Sequence, residues 1–206
     1  MMVIRKLFKV NNTHIVRNCY SDRCKYSLHA HTADIEVFLE SQKLDNAGML
    51  LDFGIIKKIF KPFLDIHNDA VLIWKYDNKE YKDFIKSKTD NWIELFFTPS
   101  AELLAAYFQL HFSSFLDRVK LKNNEDHNLS IIKTRYHETR TGWAEANNID
   151  VLGLTVDQKY VLMIDKVGDV VSAKIDEFEK NIGASLLGDK EIEIEAPEIQ
   201  VVTPRT

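Results

Sequence analysis

The segment Thr32-Ala33-Asp34-Ile35-Glu36-Val37-Phe38-Leu39 alternates polar and apolar side chains, which is the period-two signature of a half-buried β-strand. Directly before it stand His29-Ala30-His31. Side chains at i and i+2 of a strand share a face, so the two imidazoles sit side by side where the strand begins. His14 belongs to another segment of the same type, and Cys24 precedes the pair by five residues. Three neutral imidazoles that leave a fourth position open are a way to hold a catalytic zinc ion. A neighbouring thiol adds a nucleophile or base, provided its unperturbed pKa of about 8.5 is lowered. Two ordinary strand histidines are the plainer alternative, because spacing does not bring His14 to the pair.

The rest of the chain alternates hairpin-like and helical segments. Residues 3–10 read as a strand, Asn11-Asn12-Thr13 as a bend, and 15–21 as a loop leading to Cys24. Ser41 to Gly48 supplies turn chemistry. Asp52 then caps an amphipathic helix marked by Ile55, Ile56, Ile59, Phe60, Phe63 and Leu64, closed by His67-Asn68-Asp69. Ala70–Trp74 is apolar enough for a strand, and the Lys- and Asp-rich 75–91 reads as a solvated helix or excursion. Thr98-Pro99-Ser100 announces a second helix with Glu102 in its first turn and a stripe of Leu104, Phe108, Phe112 and Phe115. After a polar loop over 120–128, Ser130 to Glu138 is a strand and Gly142 to Ala146 its hairpin partner. A strand over 158–165, a helix marked by Val171, Ile175, Phe178, Ile182 and Leu186, and a Pro-containing tail follow. Segregated hairpins and helices favour an α+β fold over a parallel α/β sheet.

Composition closes off several functions. At 206 residues, 45% apolar and 28% charged, the chain has the balance of a globular protein with a real core. A net charge of −4 without a long basic run argues against an electrostatic grip on nucleic acid. Cys19 and Cys24 are too few for a disulfide framework, which favours a reduced, cytoplasmic setting. No apolar run reaches membrane-spanning length, so no membrane partner is expected.

Five segments, in order and in register, resemble the 6-pyruvoyl-tetrahydropterin synthase / 6-carboxytetrahydropterin synthase family. They are His14-Ile15-Val16-Arg17-Asn18; Cys24 with His29-Ala30-His31; Gly48 with Leu51-Asp52-Phe53-Gly54; Thr98-Pro99-Ser100-Ala101-Glu102; and His137-Glu138-Thr139-Arg140-Thr141-Gly142. The match spans residues 1–147 and leaves 148–206 as a C-terminal extension of unknown role with α/β character. The resemblance implies the tunnelling fold, an antiparallel four-stranded sheet with two helices on one face, assembled into homo-oligomers, commonly hexamers. It implies a pterin substrate, 7,8-dihydroneopterin triphosphate, and a zinc ion on His14, His29 and His31. Cys24 falls at the family's catalytic cysteine and Glu138 at the glutamate that anchors the pterin, where a carboxylate accepts two hydrogen bonds from an amino-pyrimidine edge. His137, one residue earlier on the strand, should face the other way.

The bacterial branch, which makes 6-carboxy-5,6,7,8-tetrahydropterin for queuosine and other 7-deazaguanines, is the expected activity. The 6-pyruvoyl branch, or a pterin-binding homologue with altered or lost chemistry, is the alternative. Two departures bear on this. The family's His-Gly-His is here His-Ala-His, and its Asp-His proton relay, counted without gaps, falls on Asn68 and Asp69. Either a small shift brings in His67, or Asp69 serves as acid/base, or the relay is lost.

Overall fold

Two 13-residue strands organise the molecule: β1 (Met2–His14) and β2 (His29–Ser41). They run antiparallel in unbroken register, from Met2 opposite Ser41 to His14 opposite His29. The alternation in β2 becomes an inward face of Ala33, Ile35, Val37 and Leu39, all fully buried, and Phe8, Val10, Asn12 and His14 of β1 are buried with them. The computed structural model describes residues 1–45, 47–121, 128–148, 162–182 and 192–194.

On one side of this pair, β6 (Ser130–His137) joins β2 and β7 (Trp143–Asn147) joins β6, both antiparallel. On the other, β3 (Ala70–Trp74) lies parallel to the end of β1, and β4 (Trp92–Leu95) lies parallel to β3. An antiparallel edge, β8 (Ile164–Val167), completes the sheet in the order β7-β6-β2-β1-β3-β4-β8. The expected four antiparallel strands are therefore part of a larger, mixed sheet of seven. The free edge of β1 at Asn12–His14 offers unpaired backbone groups, and β3 satisfies them. A separate two-stranded parallel ladder pairs β5 (Val119–Leu121) with β9 (Ile192–Ile194).

The sheet's inward face is covered by α2 (Phe53–His67), capped by the Asp52 side chain at Gly54 N–H, and α4 (Ala101–Asp117), capped by Ser100 at Leu103 N–H. Short α1 (Asp22–Tyr26) joins β1 to β2, and α3 (Lys79–Lys86) follows β3. A fifth helix, α5 (Asp169–Ile182), lies beyond the family-like region and packs on α2. There Phe178 places its ring 5.5 Å from Phe115 and 6.3 Å from Phe63. The described part of the C-terminal extension thus adds both a strand and a helix to the same sheet and core. The expected strand over 158–161 and the helix mark at Leu186 lie outside the described residues.

Two imidazoles are buried in this aromatic interior. His67 has its Nδ1 at 3.0 Å from the Phe63 carbonyl and its Nε2 at 2.8 Å from the Tyr107 hydroxyl. His111 packs between Phe63 and Tyr107. Burial lowers the His67 pKa to about 4, against the upward pull of the Phe63 carbonyl and with a further push down from Lys174. His111 is lowered to about 3, again chiefly by burial. Below pH 6.5 the unfolded chain takes up protons that the native His67 refuses. The stability tied to its neutral state is therefore complete above pH 6.5 and is lost as pH falls towards 4, by about 3 kcal/mol. Urea unfolding at pH 7.5 and 4.5 should show this loss in the wild type and a shallower one in His67→Gln. Equal losses in both would contradict the assignment.

Candidate metal centre

His14 ends β1 and His29 begins β2, paired across the ladder, with His31 two residues further along the same face. Strand alternation thus aims all three rings inward at one end of the sheet. Their centroids are 4.8 Å (His14–His29), 5.3 Å (His14–His31) and 5.1 Å (His29–His31) apart. One nitrogen from each lies within 4.8 Å of the other two. The sequence left open whether His14 meets the pair, and the β1–β2 register brings it there.

The nitrogens are prepared for a cation. His29 Nδ1 lies 2.8 Å from the Ser27 carbonyl, so it carries the proton and leaves Nε2 with a free lone pair. His14 is wholly buried, and among the described residues neither of its nitrogens has an aligned hydrogen-bond partner; nor does His31 Nε2. Buried polar atoms left unpaired cost about 1–3 kcal/mol each, and a divalent ion bound at these lone pairs would remove that cost. Burial also lowers the His31 pKa, with His14, His29 and Arg23 acting in the same direction and Glu138 opposing. That favours the neutral, ligating form. A borderline-soft ion such as zinc suits three imidazole nitrogens, so the residues present fit the ion.

Glu138 follows β6 directly and brings its Oε1 to 3.2 Å from His14 Nε2 and 3.7 Å from His31 Nε2. His14 holds its carboxyl below the usual range, against the effect of burial. His137 does face the opposite side of the sheet. There its Nε2 lies 3.0 Å from Glu36, whose carboxylate also meets Arg5 and Arg135.

Cys24 lies half-buried on α1. Its carbonyl accepts a hydrogen bond from Val16 N–H at 3.0 Å. Arg17 clamps the same loop, donating to the Lys25 carbonyl at 2.8 Å while its Nε pairs with the almost buried Asp77 carboxylate at 2.9 Å. The thiol is outside the ligand group formed by the three histidines among the described residues.

The structure places the two acid/base candidates elsewhere in the chain's own fold. His67, one of the three alternatives the sequence left open for the relay, is in the core with both nitrogens engaged. Asp69 is exposed, with its carboxylate held by Asn11 Nδ2 at 3.2 Å and Asn68 Nδ2 at 2.8 Å. It sits beside Asn11, three residues short of His14, or about 10 Å along a strand.

Sequence reasoning missed two supporting residues. Asn12, opposite His31, donates from Nδ2 to the Tyr136 hydroxyl at 2.8 Å, and both are buried beside the cluster. Their signal was available, since position 12 shares the inward face with His14, and position 136 shares one with Glu138.

Both the sequence and the fold are similar to those of known proteins. The family model described as 6-pyruvoyl tetrahydropterin synthase matches residues 3–148. A Helicobacter pylori protein named 6-carboxy-5,6,7,8-tetrahydropterin synthase is 37% identical over 145 residues, covering 70% of this chain and 72% of its own length. A Rickettsia typhi protein of the same name is 28% identical over 127 residues, covering 61% of this chain and 86% of its own. Among solved structures, an uncharacterized protein from Wolinella succinogenes superposes with a TM-score of 0.54 at 19% identity, over 71% of this chain and 98% of that one. The Plasmodium vivax 6-pyruvoyltetrahydropterin synthase gives a TM-score of 0.50 at 13% identity over the same shares. At these identities the structures speak to the fold alone.

Proposed function

Since the chain belongs to the 6-pyruvoyl tetrahydropterin synthase family, we propose that it is a zinc-dependent lyase that converts 7,8-dihydroneopterin triphosphate to 6-carboxy-5,6,7,8-tetrahydropterin. The observation that carries this reading is the convergence of His14, His29 and His31 beside the Glu138 carboxylate, with both His14 nitrogens and His31 Nε2 lacking a hydrogen-bond partner among the described residues. The names of the relatives at 37% and 34% identity favour the 6-carboxy product over the 6-pyruvoyl one. In this reading the product feeds queuosine and related 7-deazaguanine synthesis, and the protein works in the cytoplasm as a homo-oligomer, a hexamer by resemblance.

A zinc ion held by the three imidazoles would polarise the hydroxyl oxygens of the substrate side chain and ease loss of their protons. The chain's own residues do the rest. Glu138, kept ionised, accepts hydrogen bonds from the amino-pyrimidine edge and fixes the ring's orientation. Cys24, on a loop clamped by Arg17 and Asp77, moves a proton at the side-chain carbons. The second acid/base duty goes to Asp69, whose carboxylate is at the surface, and not to His67, whose nitrogens are both committed in the core.

Cys24→Ala should retain zinc and pterin binding while acetaldehyde release from 7,8-dihydroneopterin triphosphate falls by roughly 10²–10⁴-fold, the usual worth of a positioned acid or base. Mass spectrometry of the product distinguishes the branches. A pyruvoyl side chain without acetaldehyde would replace the 6-carboxy assignment, and undiminished turnover in the variant would remove Cys24 from the chemistry.

A further inference from the structure

Glu138 stands closer to the three histidines than pterin anchoring requires. A tetrahedral ion about 2.1 Å from each donor spaces the donors about 3.4 Å apart. The carboxylate Oε1 lies 3.2 Å from His14 Nε2 and 3.7 Å from His31 Nε2, on either side of that edge length. The approach to His14 is not aligned as a hydrogen bond, since Nε2 remains without a partner by direction. Two atoms at this distance whose lone pairs do not point along their joining line suit joint service to a third body between them. The carboxylate's charge also meets the chemistry of the position. Three neutral imidazoles leave a dication uncompensated in a half-buried site, and the Glu138 carboxyl is the acidic side chain placed against them among the described residues.

Glu138 lies just past the last residue of β6, where the chain turns through a loop closed by Thr139 Oγ1, which accepts from Gly142 N–H at 3.0 Å. A residue at this point is tethered at the strand on one side and free of the ladder on the other. We propose that Glu138 is the fourth ligand of the metal in the substrate-free protein. It closes the site as His₃Glu and leaves the ion when a pterin's amino-pyrimidine edge claims the same carboxylate. This rests on the zinc reading above and adds to it an exchange. The resting ion is shielded from bulk anions and water, and opening its fourth position is coupled to arrival of the ring that Glu138 recognises.

The test uses the full chain, stripped of metal and reloaded with zinc or with cobalt(II), whose visible absorption reports coordination number and donor type. Zinc affinity, measured by competition with a chromophoric chelator, should fall about tenfold or more in Glu138→Gln, on the scale of losing an oriented carboxylate at a metal site. The cobalt spectrum should change with it. Glu138→Asp should fall between, and the metal-free forms should melt alike. Neopterin added to the wild-type cobalt protein should shift its spectrum towards that of Glu138→Gln and should leave the variant's spectrum unchanged. Equal zinc affinity and identical cobalt spectra for wild type and Glu138→Gln would overturn the fourth-ligand role while leaving the three-histidine site intact. A wild type that takes up no zinc, or a His31→Ala protein that binds it as tightly as the wild type, would instead overturn the metal reading itself.

Discussion

His31→Ala should lose its zinc and, with it, turnover of 7,8-dihydroneopterin triphosphate. His31 contributes one of three nitrogens gathered within 4.8 Å, and its Nε2 has no hydrogen-bond partner among the described residues. Removing an outer partner of a metal ligand costs roughly 10- to 100-fold in affinity or activity. Removing the ligand itself should exceed that, leaving two imidazoles and a carboxylate around a dication. The fold should survive, because the His31 side chain is partly exposed and lies at the margin of the core, unlike the wholly buried His14. The result contrasts with that expected for Cys24→Ala, in which metal stays and chemistry stops. Metal content by elemental analysis, read beside acetaldehyde release, separates the two. Stoichiometric zinc with normal turnover in His31→Ala would dismantle the proposed site.

Gly168→Ala should be strongly destabilising. Gly168 joins β8 to α5, with its N–H donating to the Trp92 carbonyl at 3.0 Å and its own carbonyl accepting from Ser172 N–H at 2.9 Å. A Cβ built there would lie 2.2 Å from the Asp90 carbonyl oxygen, 2.8 Å from the Asp90 carbonyl carbon and 2.6 Å from Trp92 Nε1. Backbone and a rigid indole cannot yield as the tip of a lysine would. Overpacking of this kind costs about 1–3 kcal/mol and more where the backbone must move. Relief would require shifting the start of α5, and so the seats of Val171 and Phe178, both buried in the common core. Urea unfolding should show a loss of at least about 3 kcal/mol, and limited proteolysis should cut first near α5. Phe178→Ala, which empties the same seat from the apolar side, should lose about 3–5 kcal/mol. A Gly168→Ala protein as stable as the wild type would mean that α5 does not depend on this close approach.

Strand β2, α2 and α4 were legible because each leaves a periodic trace over many residues, and β1 was legible over residues 3–10 only, since the bend read at Asn11-Asn12-Thr13 is unbroken strand that carries on to His14. The Thr32–Leu39 alternation became the buried face of β2, and the stripe from Ile55 to Leu64 became the inner side of α2. What escaped is short or set by distant partners. Helix α1 has five residues, fewer than two turns, and the clamp that holds its loop joins Arg17 to Asp77 sixty positions away. Strand β4, four residues directly after the charged stretch 75–91, pairs with β3 and β8 but carries too few side chains to show a period. The extension's place on the sheet was equally hidden, since β8 is assigned by the partner it meets and not by its own pattern. His67 was a candidate because it stands one place before Asn68 and Asp69, where the relay falls when counted without gaps. The phenol of Tyr107, forty residues on, takes it inside.

Asp69 adopts a left-handed backbone, with φ at +62°. Outside glycine, that conformation is tolerated chiefly by asparagine, aspartate and histidine. Counted without gaps, this is the place where relatives are expected to carry the imidazole of their relay. A histidine placed at this bend would meet a backbone conformation that admits it as readily as aspartate.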